Sequence, residues 1–302
     1  MGRMHVEVGR EYNMSGLKMP NIGLGTYPMK GEQLTNAVIA ALECGYRMFD
    51  TAHNYCNEDH LGNSLKIALQ KTGITREEVF IQTKVGEEHW EGINDMKLFS
   101  KKEKNECKDI FAIVKDQVET SLEKLQVDYL DCVLIHFPYP DYFLEIWKAL
   151  EVLHKQGTIN YIGVSNCRER HLKKIIENCE IVPIVNQVEI SPVNTVQSVV
   201  DFCKKNNIIV QTYSPLMPLR HKLKDNNVLL ELAKKYNVAV SQIVLKWNMQ
   251  NDCIPLPKSS NPERIKQNIT LNFKIEDSDM LKINALNENY QSLPQSIYCP
   301  GY

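Results

Sequence analysis

The chain alternates between short apolar runs and longer stretches of helical periodicity, and this alternation constrains the fold most. Between the runs, apolar residues recur at three- and four-residue spacing, as at Leu34, Ala37 and Val38. Eight strands alternating with helices in 302 residues predict an α/β fold, a (β/α)₈ TIM barrel, in one domain over residues 1–302. The predicted strands are Ile22–Thr26, Tyr46–Ala52, Phe80–Val85, Tyr129–His136, Ile159–Asn166, Ile184–Ser191, Ile208–Pro215 and Cys253–Ser259.

The main alternative is a doubly wound open sheet that binds a dinucleotide. That fold carries a G-x-G-x-x-G turn after an early strand. Here Gly23-Leu24-Gly25 continues into Thr26-Tyr27-Pro28, and the pattern fails. The barrel is therefore favoured.

Several segments exceed the minimal barrel. The additions are a hairpin within residues 4–20 that closes the barrel floor with Ser15-Gly16 as its turn, a charged loop-like insertion at Gly86–Asp109 that contains Trp90, two helices near Val228–Tyr236 and Ser241–Gln250, and a last helix near Glu276–Asn287.

Composition narrows the class of protein. A net charge of −2 gives no sign of a nucleic-acid or acidic-membrane partner, and no apolar run approaches the roughly 18 residues that span a bilayer. The nine cysteines form no C-x-x-C pair, so neither a zinc site nor a disulfide framework is indicated. With a polar start at Met1–Glu11, these features predict a cytoplasmic protein.

Four polar residues stand at or just after the ends of predicted strands. Asp50 and Tyr55 follow one run, Lys84 ends the next, and His136 ends the fourth. Each alone could be structural: a turn acid, a surface lysine, a core histidine. Because barrels assemble their sites from strand ends, the set predicts one catalytic centre.

The four fit proton donation to a carbonyl group. Tyrosine has an ordinary pKa of about 10, which a nearby Lys84 cation would lower. Asp50 would keep Lys84 charged, and His136 would orient the carbonyl. The hydride must come from a cofactor, and no clustered metal ligands are visible.

An anion site is predicted after the eighth strand. Lys258 follows that strand, and Pro262 suits the first turn of a helix that carries Arg264. A helix N-terminus with two cations suits a phosphate, although the two charges could equally form a solvated surface pair.

The chain resembles the aldo-keto reductase family from about Leu17 to Leu271, most closely its compact microbial aldehyde reductases. The matching pieces are Met19–Thr26, Asp50–Ala52 with Tyr55, Asn57-Glu58 and Gly62, Thr83-Lys84, Leu134–Pro138, Ile162–Asn166, Val185–Gln187, Tyr213–Leu216, Ile254–Ser259, and Pro262–Ile265 with Asn268.

The resemblance implies a monomeric NADPH-dependent reductase of small aldehydes or ketones. Tyr55 would donate the proton, with Asp50, Lys84 and His136 supporting it. Lys258, Ser259 and Arg264 would hold the 2′-phosphate, which favours NADPH over NADH. The other implied cofactor contacts are Gly25, Thr26, Ser165, Asn166, Gln187, Tyr213, Ser214, Leu216 and Asn268.

Some positions depart from the family pattern. Tyr27 and Phe137 stand where pocket tryptophans are common, so the substrate wall stays aromatic. Gly86 stands at a third such position, where Trp90 of the insertion is expected to substitute. Gln267 replaces a frequent glutamate near the adenine. Cys299 lies in a tail that often edges the pocket, where an inert thiol is expected more than a redox-sensitive one.

Two rival functions differ in class. Potassium-channel β subunits share this barrel and bind the cofactor without a primarily catalytic role; the lack of a long N-terminal extension argues against them. A metal-dependent barrel hydrolase would need an H-x-H on the first strand, which is missing.

Overall fold

The computed structural model describes residues 11–14, 17–89, 97–98 and 109–293. Its strands are β1 (Glu11–Met14), β2 (Leu17–Pro20), β3 (Leu24–Gly25), β4 (Met48–Asp50), β5 (Phe80–Val85), β6 (Glu87–His89), β7 (Lys97–Leu98), β8 (Leu130–Ile135), β9 (Ile159–Ser165), β10 (Val185–Glu189), β11 (Ile209–Tyr213) and β12 (Cys253–Leu256).

Eight of these strands form one parallel sheet in the order β12-β11-β10-β9-β8-β5-β4-β3. The two outer strands also meet, since Gly23 N–H donates to Pro255 O and Gly25 N–H donates to Pro257 O, each at 3.1 Å. The sheet thus closes on itself, and the predicted barrel is confirmed.

Ten α-helices lie in the described part of the chain. They are α1 (Gly31–Glu43), α2 (Glu58–Thr72), α3 (Ile110–Leu125), α4 (Phe143–Lys155), α5 (Glu169–Asn178), α6 (Gln197–Lys205), α7 (Asn227–Tyr236), α8 (Val240–Gln250), α9 (Pro262–Ile269) and α10 (Asp277–Asn284). The predicted helices before the last strand and near the C-terminus are confirmed as α7, α8 and α10. None of these helices is both long and apolar enough to cross a bilayer.

The hairpin β1–β2 is confirmed over its described residues, which pair antiparallel from Glu11↔Pro20 to Met14↔Leu17. Met19 is fully buried and packs in the barrel interior against a cluster that includes Met48, Phe80 and Ile254. This side chain closes the floor of the barrel. The predicted turn at Ser15-Gly16 lies outside the described residues.

Strand ends differ from the predictions where the local backbone turns away. Ser214 has φ +50°, a left-handed conformation that ends β11 at Tyr213, two residues before the predicted end. Ser191 pairs with Asn194 in a tight turn, so β10 ends at Glu189. The loop-like prediction for Gly86–Asp109 is wrong at β6 and β7, which pair antiparallel; Trp90 lies outside the described residues.

Candidate active site

The four predicted catalytic residues converge at the carboxyl ends of the barrel strands. Asp50 ends β4, Lys84 lies one residue before the end of β5, His136 follows β8, and Tyr55 ends a 3₁₀ turn over His53–Tyr55. Asp50, Tyr55 and His136 line a cavity of about 240 Å³. Lys84 lies behind them and is fully buried.

The Lys84 ammonium has one hydrogen-bond acceptor for each of its three hydrogens. Nζ donates to Asp50 Oδ2 at 2.7 Å, to the Thr51 main-chain oxygen at 2.8 Å and to Tyr55 Oη at 3.3 Å. Burial alone would lower the pKa of Lys84, but the charges of Asp50 and Tyr55 and its hydrogen bonds to both hold that pKa above the ordinary value. Because an ammonium only donates, the Tyr55 oxygen accepts here, which leaves its own O–H to be donated elsewhere.

Two buried glutamines donate to the second oxygen of Asp50, and a third glutamine joins these two. Gln82 Nε2 and Gln187 Nε2 donate to Asp50 Oδ1 at 2.7 and 2.9 Å. The same two nitrogens donate to Gln211 Oε1 at 2.7 and 3.0 Å. Gln82 and Gln211 were not among the predicted site residues.

The loop that carries Tyr55 is fixed by hydrogen bonds among polar residues. Asn57 Nδ2 donates to the main-chain oxygens of Met29 at 3.0 Å and Thr26 at 3.3 Å, while Asn57 Oδ1 accepts from Thr51 Oγ1 at 2.9 Å. Thr26 Oγ1 donates to the main-chain oxygen of Asp50 at 3.0 Å. The loop is therefore tied to both neighbouring strand ends, which sets the position of Tyr55.

Aromatic side chains form the outer wall of the cavity. The ring of Tyr27 lies 5.0 Å from that of Tyr55, and the ring of Phe137 stacks on His136 at 4.8 Å between centroids. Both residues, which the sequence predicted as substrate contacts, line the cavity. Gly86 has no room for a side chain, since a Cβ there would lie 2.4 Å from Tyr139, so Tyr139 fills this position.

The residues predicted to bind the nicotinamide lie together, joined by hydrogen bonds next to His136. Tyr213 Oη donates to Asn166 Oδ1 at 2.8 Å, and Asn166 Nδ2 donates to the His136 main-chain oxygen at 3.0 Å. Ser165 Oγ donates to the Gln187 main-chain oxygen at 2.9 Å. Asn166 has φ +59°, which asparagine tolerates better than most residues.

The predicted cofactor contacts separate into two sets. Those that line the cavity are Gly25, Thr26, Ser165, Asn166, Gln187, Tyr213, Ser214 and Lys258. The others, Leu216, Ser259, Arg264 and Asn268, are not among its described lining residues. Three of these four follow β12, so the second set extends beyond the cavity along the chain.

The corner after β12 is positively charged. Burial, and then the charge of Arg220, lower the pKa of Lys258 below that of an ordinary lysine. Asn261 caps α9 by accepting from Arg264 N–H at 3.0 Å, and Pro262 stands in the first turn, as predicted. Arg264 is exposed, and Asn268 is buried one turn further on. Positive charge at a helix N-terminus suits a phosphate group.

The start of the C-terminal tail borders the cavity. The buried Glu189 at the end of β10 accepts the main-chain N–H groups of Ser292 at 2.7 Å and Leu293 at 3.1 Å. Burial raises the pKa of Glu189. Leu293 lines the cavity, together with Asn54 and Leu256, and none of these three was predicted. Cys299 lies outside the described residues.

The side chains present fit a nicotinamide dinucleotide phosphate. With both Nε2 hydrogens of Gln187 donated inward, its Oε1 is left as an acceptor for a carboxamide N–H. Lys258 and Arg264 supply cations for phosphate. In the described ranges, no three His, Cys, Asp or Glu residues come together as metal ligands.

The chain is similar to known oxidoreductases along most of its length. A model of the aldo/keto reductase family matches residues 21–288. The chain is 39% identical over 277 residues to a glyoxal reductase of Bacillus subtilis, covering 91% of each chain. It is 33% identical over 276 residues to a methylglyoxal reductase of Salmonella typhimurium, covering 90% of this chain and 91% of the relative. The crystal structure of a Bombyx mori aldo-keto reductase in complex with NADP superposes with a TM-score of 0.83 at 30% identity, covering 97% of each chain.

Proposed function

This chain belongs to the aldo/keto reductase family, and on that premise we propose that it reduces small aldehydes, especially 2-oxoaldehydes, with NADPH and with Tyr55 as the proton donor. The observation that carries the proposal is the hydrogen bond from the buried Lys84 ammonium to the Tyr55 oxygen. It directs the phenol O–H away from Lys84 and places a cation where a phenolate would form.

The four catalytic residues have separate roles in the proposed reduction. NADPH, when bound, supplies the hydride that reaches the carbonyl carbon. Tyr55 donates its O–H proton to the carbonyl oxygen, so that hydride and proton together give the alcohol. Lys84 then stabilises the phenolate through a charge-assisted hydrogen bond, and Asp50 keeps Lys84 in place. His136 borders the same cavity, where its imidazole orients the carbonyl.

Two sets of residues would hold the cofactor. Ser165, Asn166 and Gln187 suit the carboxamide, with Tyr213 against the ring. Lys258, Ser259 and Arg264 suit the 2′-phosphate, which supports a preference for NADPH over NADH. Gly25, Thr26, Ser214, Leu216 and Asn268 complete the proposed contacts.

The size and walls of the cavity support a small substrate. About 240 Å³ must hold both the nicotinamide ring and the reacting carbonyl. Tyr27 and Phe137 give the substrate a flat aromatic surround. Two relatives are named for glyoxal and methylglyoxal, which are small dicarbonyls. Together these features favour a short 2-oxoaldehyde over a bulky ketone.

The rival function, a non-catalytic module that binds NADP(H), is not favoured. The relatives described above are named as reductases, whereas the catalytic set alone would fit either function. We further propose that the protein works as a monomer, because all four catalytic residues come from one chain. We also propose that it works in the cytoplasm, because the seven described cysteines are thiols rather than halves of disulfides. Light scattering during gel filtration tests the monomer.

Replacing Tyr55 tests the function directly. We expect the wild type to oxidise NADPH when glyoxal or methylglyoxal is added. Tyr55→Phe should lower kcat/KM by about 10²–10⁴-fold, because it removes the general acid. NADPH affinity, followed by fluorescence, should stay nearly unchanged.

Tyr161→Phe is the matched control, since Tyr161 is a tyrosine of β9 that is not among the described residues lining the cavity. It should retain most of the activity. A Tyr55→Phe variant that remains active, or that loses NADPH binding in proportion to activity, would show that Tyr55 does not donate the proton.

A further inference from the structure

The interior of the barrel contains a polar layer directly beneath the reaction centre. Gln82, Gln187 and Gln211 are at most 1% exposed, and they come from the adjacent strands β10 and β11 and from β5 across the barrel. Gln82 and Gln211 pair reciprocally, since Gln211 Nε2 also donates to Gln82 Oε1 at 3.0 Å. Buried amides are costly unless hydrogen-bonded, so this layer holds a defined arrangement.

The charge of Asp50 sets the direction of every amide in the layer. An ionised carboxylate only accepts, so the atoms of Gln82 and Gln187 that face Asp50 Oδ1 must be N–H donors. Both donors then share the single oxygen of Gln211, whose nitrogen is left to donate to Gln82. Reversing any one amide would place two donors or two acceptors against each other.

We propose that Gln82 and Gln211 are positioning residues that hold Asp50 Oδ2 toward Lys84 and leave the Gln187 oxygen as the atom offered to the cofactor carboxamide. Neither residue is among the described residues that line the cavity. Through them one hydrogen-bonded layer links the proton donor to the seat of the nicotinamide. This inference rests on the proposed roles of Tyr55 and Gln187.

The layer has a consequence for the acidity of Tyr55. Each amide N–H that donates to Asp50 Oδ1 stabilises the negative charge on that oxygen and weakens the pull of the carboxylate on the Lys84 proton. Without the Gln82 donor, Asp50 would draw more strongly on the Lys84 proton, and the positive field at the phenol would weaken. Tyr55 would then ionise at higher pH and donate its proton less readily.

The test replaces Gln82 with residues of similar shape. Gln82→Met removes both hydrogen-bonding atoms, and Gln82→Met with Gln211→Met removes both partners of the amide pair, so that only the second N–H of Gln187 loses its acceptor. Gln82→Glu keeps the shape but sets a second acceptor against Asp50. Gln242→Met is the matched control, because Gln242 is a buried glutamine of α8 that bonds Ala239 N and Thr270 O.

Three readouts are compared. In the cofactor-free protein, NMR of ring-labelled tyrosine follows Tyr55, assigned through Tyr55→Phe. Its ionisation should move up by about half a pH unit or more in Gln82→Met. NADPH should bind several-fold more weakly, and kcat/KM at neutral pH should fall about tenfold, as expected for a lost hydrogen bond to a charged group. Gln82→Glu should be worse than Gln82→Met, and Gln242→Met should match the wild type.

The inference is overturned if Gln82→Met and the double variant titrate and bind NADPH like the wild type, or if Gln242→Met shifts the readouts equally. A wild type that shows no aldehyde-dependent oxidation of NADPH would instead overturn the proposed function. In that case the Tyr55 titration of the cofactor-free protein still decides the role of Gln82.

Discussion

Lys84 and Lys258 stand near the ends of strands of the same barrel, yet their surroundings shift their pKa in opposite directions. Lys84 is fully buried, and its contacts with Asp50 and Tyr55 outweigh the effect of burial and raise its pKa. Lys258 is partly buried, and burial together with the like charge of Arg220 lowers its pKa. Lys84 has its counter-charge within the protein, in Asp50. Among the causes that shift the pKa of Lys258 in the described part of the chain there is no acidic side chain, so we propose that a bound anion supplies its counter-charge. The proposed reaction centre is thus held by contacts within the protein, whereas the proposed phosphate site after β12 depends on its ligand for a negative charge.

The largest effect is expected from removing Lys84 from its ion pair with Asp50. Lys84→Met should lower kcat/KM by about 10³-fold, because the phenolate loses its cation and Asp50 its partner. It should also lower the free energy of unfolding by about 3–5 kcal/mol, since a buried carboxylate is left unpaired. Steady-state kinetics and urea unfolding measure the two losses.

The double variant Lys84→Met with Asp50→Asn separates the loss of activity from the loss of stability. It removes the unpaired charge, so it should recover much of the stability and none of the activity. If Lys84→Met unfolds at the same urea concentration as the wild type, the pair is not the fixed unit described above.

The next largest effect is expected at the proposed phosphate site after β12. Arg264→Ala should weaken NADPH binding about 10–100-fold and leave NADH binding unchanged, because only NADPH carries the 2′-phosphate. Fluorescence titration with both cofactors measures the ratio. Lys266→Ala, an exposed lysine on the same helix, should leave the preference intact. An equal loss for both cofactors would remove Arg264 from the phosphate site.

The smallest effect is a pH dependence of NADPH affinity, which we expect at Lys258 and not at Lys84. In the proposed function the Lys258 ammonium binds the 2′-phosphate, and its lowered pKa means that this charge is lost below the ordinary lysine range near pH 10.5. NADPH affinity should therefore fall a few-fold as pH rises toward about 10, while NADH affinity stays level. Lys258→Arg, which stays charged at these pH values, should flatten the NADPH curve. A flat curve for the wild type would contradict the contrast between the two lysines.

The residues that the sequence revealed are those whose signal is local. Asp50, Lys84 and His136 each interrupt or end an apolar run, so a strand pattern and the rule that barrel sites lie at strand ends were enough to group them. The eight strands followed from the same periodicity. Their ends were less predictable, because a left-handed residue such as Ser214 stops a strand while the apolar pattern continues.

The site residues that could not be predicted from the sequence are those that make contacts between distant segments of the chain. Gln82 meets Gln211 across 129 positions, and Glu189 meets Leu293 across 104. In sequence, Gln82 is one polar residue within an apolar strand, which reads as ordinary alternation. Only closure of the barrel brings its amide against Asp50. No spacing rule within a single strand contains that information.

The contact between Glu189 and the tail bears on how this enzyme can change over evolutionary time. Glu189 holds residues 292 and 293 through their main-chain N–H groups, and every amino acid except proline carries such a group. The side chain at position 293 can therefore vary without releasing the segment from the barrel. A lineage can alter one wall of its pocket, and with it the range of aldehydes it accepts, while the catalytic groups stay as they are.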